Sequence, residues 1–145
     1  MAEELVEVFM ENKHKHLDYI QSVINRMAGN SFALKGWAVT LIAGIFALAG
    51  KDADKTYFLV AYIPIIVFWG LDAFYLLQER LYCSLYNKVR NMKENEIDYS
   101  MNAYLNEFQT DKNTWCNCIL SKTEFWFYFP LALVSTTIII FSALF

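Results

Sequence analysis

Residues 57–77 are almost entirely apolar, and Asp72 is the one acidic or basic side chain among them. These 21 residues would form a helix about 30 Å long, which matches the hydrocarbon thickness of a bilayer. The polarity changes abruptly at the next three residues, Gln78, Glu79 and Arg80. The pattern predicts a helix that spans a membrane, holds one buried acid and ends at a charged collar.

Two further apolar stretches, residues 34–50 and 125–145, predict two more spans. In the first, Gly36, Thr40 and Gly44 recur every four residues, a small-residue face that lets another helix approach closely. The second has no charged residue and opens with aromatic residues, as at a membrane interface. Pro130 lies near the first turns of that span, where a proline is least disruptive. The polar residues 51–56 should connect the first two spans as antiparallel neighbours.

The N-terminal residues 3–30 have the periodicity of an amphipathic helix. Its apolar stripe alternates spacings of three and four residues and consists of Leu17, Ile20, Ile24, Met27, Ser31 and Leu34. Such a stripe favours packing in a helical bundle, and the alternative is a helix lying on a membrane surface. The residues Gly29-Asn30-Ser31 predict either a bend or a continuous passage into the first span.

The second predicted span continues beyond the collar at helical spacing. Its polar extension has an apolar stripe formed by Leu81, Leu85, Val89 and Met92. We therefore expect one helix over 57–96, running out of the membrane into the cytoplasm. After it, the sequence predicts a short helix over about 99–109 and then a connector that contains Cys116 and Cys118.

These elements predict an all-α membrane protein with three transmembrane helices and a cytoplasmic helical bundle. The bundle would combine the N-terminal helix with the extension of the second span. The expected organisation is a cytoplasmic amphipathic helix at 1–33, a transmembrane hairpin at 34–77, a cytoplasmic helical region at 78–124 and a third transmembrane helix at 125–145.

The distribution of basic residues predicts the orientation. Of the 12 Lys and Arg residues, four lie in 1–35 and six in 78–124, which the positive-inside rule places in the cytoplasm. The N-terminus should then be cytoplasmic and the C-terminus periplasmic. Residues 1–27 lack the apolar core of a cleavable signal, so the first span should be an uncleaved anchor. The net charge of −3 excludes bulk electrostatic binding of nucleic acid.

Asp72 is the most informative side chain, because a carboxylate inside a span should face protein or water. Arg26 and Lys35 approach its level from the first span and are its candidate partners. Two roles stay open, a structural ion pair between helices and a pore-lining or gating acid. In the second role, Glu79 and Arg80 are the accompanying pore candidates. Arg26, Lys35, Gly36, Thr40 and Gly44 are the candidates for helix pairing.

The sequence gives little support for catalysis. It lacks a phosphate-binding Gly-rich loop and the nucleophile and metalloprotease motifs. His14 and His16 are two residues apart on a charged helix, so they point to different faces and are expected to be solvated. We therefore expect no enzyme activity, no metal and no cofactor.

Basic residues near aromatic rings in the cytoplasmic part suit an anionic ligand such as a nucleotide or single-stranded nucleic acid. The same combination arises wherever cytoplasmic segments beside a membrane are positively charged. The candidate residues are Lys13, Lys15, Lys88, Arg90, Lys93, Lys112 and Trp115.

Three segments together, within residues 13–21, 24–37 and 68–80, resemble small bacterial membrane effectors of anti-phage defence. The chain is similar to the Hailong-type membrane channel effector. That resemblance implies an oligomeric ion channel in the bacterial inner membrane. It also implies a nucleotide-derived ligand that holds the channel in check and that a partner nucleotidyltransferase makes.

The combined expectation is a homo-oligomeric, ligand-gated channel, because three spans in one copy cannot enclose an aqueous path. Copies would meet through the small-residue face of the first span and through the stripe in residues 17–34. The alternative is a non-conducting membrane adaptor that recruits a soluble partner to the cytoplasmic face.

Overall fold

The computed structural model of the protein describes residues 2–49 and 59–144, which form helices joined by irregular segments and include no strand. The predicted connection at 51–56 lies outside these residues. The helical content without strands in these residues confirms the expected all-α class. Three of the helices are long and apolar enough to cross a membrane, by length and composition. The helices are α1 (Ala2–Ala49), α2 (Tyr62–Asn91), α3 (Trp115–Ile119) and α4 (Lys122–Leu144).

Helix α1 is a single unbroken helix of 48 residues, about 70 Å long. It passes through Gly29-Asn30-Ser31 without a bend, so the continuous alternative is the observed one. Ile20 and Ile24, from the predicted stripe, are buried against α2. Burial of that stripe within the chain fits packing in a bundle rather than a helix lying alone on a surface.

Helix α2 runs antiparallel to α1 and also continues from its apolar part into its polar part. Leu81, Leu85 and Val89 of the predicted stripe are buried. The helix ends at Asn91, earlier than the predicted residue 96, because Met92 has an extended backbone with ψ of 152°. Residues Glu94–Glu96 then form a separate 3₁₀ turn.

The predicted helix over 99–109 is wrong. Three short side chains there, Asp98, Ser100 and Asn102, each accept a hydrogen bond from the backbone N–H two residues further on. These local bonds compete with helical hydrogen bonds and hold the segment in an extended path. Regular structure in this region is limited to 3₁₀ turns at Asn106–Phe108 and Asp111–Asn113. The two expected connector cysteines lie in the short helix α3.

Helix α4 begins three residues before the predicted span and therefore includes Glu124 in its first turn. Because α4 begins at Lys122, Pro130 lies in its third turn, where it has no N–H to donate to the carbonyl of Trp126. The helix is antiparallel to α2, since Tyr62 Oη and Thr136 Oγ1 are 2.6 Å apart near one end. Glu124 and Tyr128 lie toward the other end.

Two apolar cores hold the helices together. The polar-end core centres on Ile20, Ile24, Leu81 and Leu85 and is closed by side chains of the segment after α2: Ile97, Ala103 and Phe108. The apolar-end core contains Ala38, Ile42, Ile65 and Tyr128. A group of charged side chains lies between the two cores.

Candidate functional site: a buried ion cluster at the junction of three helices

Lys35 is the centre of the charged group between the cores. It lies one turn after Ser31 on α1, and its Nζ donates a 3.0 Å hydrogen bond to Ser31 Oγ. The same nitrogen forms ion pairs with Asp72 Oδ2 of α2 and, at 3.1 Å, with Glu124 Oε1 of α4. We call Lys35, Asp72 and Glu124 the ion cluster. It connects all three long helices at one point.

The ion cluster is shielded from solvent by the protein's own chain. Asp72 is completely buried, Glu124 is 1% exposed, and the Lys35 side chain retains 18% of its accessible surface. Of the two candidate partners, Lys35 and Arg26, Lys35 is thus the one that pairs with Asp72. Arg26 is exposed and makes no ion pair among residues 2–49 and 59–144. This arrangement fits the structural-pair role of Asp72, since the carboxylate faces protein on every side.

Aromatic side chains enclose the ion cluster on the α4 side. The Tyr128 hydroxyl donates a 3.1 Å hydrogen bond to Asp72 Oδ2, and its ring stacks on Trp69 with centroids 5.8 Å apart. Trp69 Nε1 in turn donates to the Ile119 carbonyl at 3.0 Å. Lys35 Nζ lies 5.8 Å from the ring centre of Phe127, within range of a cation–π interaction. The rings keep water away and so strengthen each electrostatic contact.

Two carboxylate oxygens in the ion cluster lack a hydrogen-bond partner in the described part of the chain. They are Asp72 Oδ1 and Glu124 Oε2, and both are inaccessible to solvent. Buried polar atoms without partners are rare, because each one loses its hydration and gains nothing in return. With both carboxyls ionised, the cluster would carry one positive and two negative charges.

Glu124 and Tyr128 were not identified as site residues from the sequence. Glu124 is the last residue of the predicted polar region 78–124, and Tyr128 lies in the first turn of the predicted span 125–145. Their spacing of four residues places them on one helix face, directed at the same neighbour. The sequence feature that points to Glu124 is its position as an acidic residue within one turn of an apolar span.

The other pore candidates lie apart from the ion cluster. Glu79 lies two helical turns after Asp72 and therefore on the same face of α2, but it is partly exposed, whereas Asp72 is buried. Arg80 donates to the Lys112 carbonyl at 2.8 Å and to Cys118 Sγ at 3.5 Å, so it fastens the connector to α2. Burial raises the pKa of the Cys118 thiol, and the nearby Arg80 guanidinium partly opposes this effect.

The predicted anionic-ligand residues are mostly engaged within the chain. Lys13 donates to the Met92 carbonyl and pairs with Glu94. The other contacts are Lys15 with Glu11, Lys88 with Glu107, and Trp115 Nε1 with the Gly70 carbonyl. The remaining candidates, Arg90, Lys93 and Lys112, are exposed.

A groove of about 650 Å³ lies beside the polar-end core, between α1 and the extended segment after Ile97. Its lining includes Lys15, His16, Tyr19 and Tyr99. His16 is buried, which makes its expected solvated position wrong: its ring meets Tyr99 edge-on at 5.5 Å. His16 Nε2 lacks a hydrogen-bond partner in the described residues.

The small-residue face of α1 has no neighbour within the described residues. A Cβ atom added at Gly36 or Gly44 would meet nothing within 4 Å, and Thr40 between them is exposed. The stripe in residues 17–34 differs, because Ile20 and Ile24 are already covered by α2. Part of that stripe is thus already used within one copy, whereas the small-residue face stays open among the described residues. Contact between copies through either surface stays a prediction.

Comparison with protein-family models, with curated proteins and with solved structures finds no match to this chain. The resemblance to anti-phage membrane effectors stays a prediction from the sequence.

Proposed function

We propose that the protein is a membrane effector whose copies assemble into a ligand-gated ion channel. In this proposal α1, α2 and α4 span the bacterial inner membrane, and the polar-end core lies in the cytoplasm. A nucleotide-type ligand, made by a partner nucleotidyltransferase, controls the channel during anti-phage defence. The defence role and the ligand class come from the resemblance, and the following contacts support the remainder.

The exposed apolar surface supports a membrane location. At most 22% of the most apolar stretch of each long helix is buried within the chain. Large side chains face outward along all three helices, among them Phe32, Trp37, Ile66 and Trp126. Monomeric soluble proteins rarely expose contiguous apolar surface on this scale. Lipid and further copies of the chain would cover it.

The observation that carries the channel proposal is the uncovered face of Gly36, Thr40 and Gly44. Small side chains let helix backbones approach closely, and this stabilises helix association in lipid. Three spans in one copy are too few to enclose an aqueous path, so in this proposal ions pass between copies. A ring of α1 helices packed through this face would build such a path.

The continuity of α1 and α2 supports gating. Each helix passes unbroken from the polar-end core to the apolar-end core, and the ion cluster joins them between the two. A ligand in the groove at His16 and Tyr99 would push on α1 directly. A shift of a rigid helix in the cytoplasm would then displace its membrane segment, as in known two-state transitions.

The test is recording from purified protein in planar bilayers, combined with particle mass in detergent. Gly36→Leu and Gly44→Leu should abolish the oligomer and the conductance while helix content stays unchanged. Gly29→Leu is the matched control, since a side chain there also meets nothing within 4 Å but lies in the polar part of α1. Wild-type protein that never conducts, with or without nucleotide ligands, would overturn the channel proposal.

The non-conducting adaptor is the second candidate, and one surface favours it. Val8, Phe9 and Met10 are exposed near the start of α1. A soluble partner could bind these apolar side chains on the cytoplasmic side. Partner binding that Phe9→Glu abolishes, together with no ion flux from wild-type protein, would favour the adaptor over the channel.

A further inference from the structure

We propose that the ion cluster binds one proton at neutral pH, held on Glu124 and donated to Asp72. The proton makes the cluster electrically neutral. This site is independent of the proposed channel function, because it follows from the charges and the burial of a single copy.

The charges around the cluster come from every helix that packs there. Helix α1 contributes Lys35, α2 contributes Asp72, and α4 contributes Glu124 with the neutral phenol of Tyr128. Helix α3 contributes the neutral thiol of Cys118, which is close enough to Glu124 to interact with it. One ammonium group therefore faces two carboxyl groups.

Arg80 contacts Cys118 beside the cluster, and it does not supply the missing charge. Its guanidinium donates to the Lys112 carbonyl and to Cys118. In the described part of the chain, Asp72 and Glu124 form their ion pairs with Lys35 and not with Arg80. A carboxylate kept from water without a counter-charge is strongly disfavoured relative to its neutral form.

The unpartnered oxygens give the proton a place. A proton on Glu124 makes one carboxyl group a donor to the other, and Glu124 Oε2 and Asp72 Oδ1 are the cluster oxygens without a partner among the described residues. The two carboxyl groups are close enough to interact directly. Two carboxyl groups that share a site typically hold one proton between them, because both cannot ionise at close range.

The hydrogen bonds indicate which carboxyl keeps the proton. Asp72 Oδ2 accepts from both the Lys35 ammonium and the Tyr128 hydroxyl, and both bonds stabilise a charged carboxylate. Glu124 accepts one hydrogen bond, from Lys35 at Oε1, and its Oε2 is the atom without a partner in the described residues. Asp72 is therefore the ionised partner of Lys35, and Glu124 is the neutral acid.

Infrared spectroscopy of the full chain in detergent tests this directly, since a protonated carboxyl has a carbonyl stretch that shifts in D₂O. Asp72 and Glu124 are the buried acids among the described residues, so wild-type protein at neutral pH should show one such band. Glu124→Gln should remove the band without loss of helix content, because glutamine is neutral and can still donate. Glu107→Gln, which changes an exposed acid paired with Lys88, should leave the band in place.

Two results would overturn the proposal. One is the absence of a protonated-carboxyl band in wild-type protein at neutral pH, a measurement that needs no variant to fold. The other is a thermal midpoint that rises with Na⁺ or K⁺, but not with choline, in wild-type protein and not in Glu124→Gln. That outcome would show a metal cation in place of the proton. Asp72→Asn provides a second check: Glu124 should then ionise beside Lys35, and the band should disappear.

Discussion

Tyr128 donates a hydrogen bond to Asp72 across 3.1 Å, from a helix that begins 50 residues after Asp72 in the sequence. The bond is completely buried and ends on a carboxylate. Hydrogen bonds to charged groups contribute about 1.5–3 kcal/mol, more than bonds between neutral groups. Among the contacts between α2 and α4, this one therefore joins a hydroxyl group to a buried charge, whereas the Tyr62–Thr136 contact joins two neutral groups.

Tyr128→Phe should lower the free energy of unfolding by about 1.5–3 kcal/mol, since it removes the hydroxyl and keeps the ring stacked on Trp69. Chemical unfolding in detergent, followed by circular dichroism, measures this. Tyr62→Phe is the matched control, because its hydroxyl contacts Thr136 at a more exposed position and both groups are neutral. Equal losses from the two variants would contradict a special role for the bond to Asp72.

Lys35→Met should be one of the most destabilising single substitutions in the chain. Removal of one partner from a buried ion pair leaves an uncompensated charge and costs about 3–5 kcal/mol. Lys15→Met removes a lysine whose pair with Glu11 lies on the exposed surface, so its effect should be barely measurable. The same unfolding measurement compares them. Tolerance of Lys35→Met at neutral pH would contradict a central role for the ammonium group.

Among the described residues, Tyr99 is a non-glycine residue with a positive φ, +54°, a backbone conformation that favours glycine. Tyr99→Gly and Tyr99→Ala both remove the ring from the groove and from His16. They differ in the left-handed backbone, which costs a non-glycine residue about 1–2 kcal/mol. Tyr99→Gly should thus be more stable than Tyr99→Ala by about that amount, as measured by thermal unfolding. The reverse order would show that the positive φ is not adopted in solution.

The two cysteines of α3 should differ in their reaction with maleimide reagents. Cys116 is exposed, whereas Cys118 is buried with a raised pKa. The thiolate is the reactive form, so Cys118 should react more slowly at neutral pH and accelerate only above the usual thiol range. Mass spectrometry of Cys116→Ser and Cys118→Ser proteins separates the two rates. Equal rates at neutral pH would contradict the buried position of Cys118.

Most of the helical framework is predictable from the sequence, because periodic burial requires periodic apolar residues. The stripe containing Ile20 and Ile24 and the stripe containing Leu81 and Leu85 both pack as predicted. The sequence also limits the partner of Asp72 to two candidates, Arg26 and Lys35, of which Lys35 forms the pair. A lone carboxylate in an apolar helix needs a counter-charge at a similar depth on a neighbouring helix.

The remaining features depend on contacts that a linear pattern does not encode. The segment after Asp98 has apolar residues that predict a short packed helix, yet Asp98 and Ser100 accept hydrogen bonds from the backbone N–H two residues further on. Glu124 belongs to the site because α4 begins a turn earlier than its apolar residues do. His16 is buried because an extended segment more than 80 residues later folds over it and places Tyr99 against its ring.

The unbroken course of α1 constrains how many residues it can have between the two cores. Each residue added to a helix rotates everything beyond it by about 100°. One residue inserted near Gly29 would thus turn Ile24 away from α2 if Lys35 kept its place. Seven inserted residues would return the Ile24 side chain to within about 20° of its direction toward α2, but they would lengthen α1 by about 10 Å. The helical phase between Ile24 and Lys35 is therefore as strictly determined as the side chains themselves.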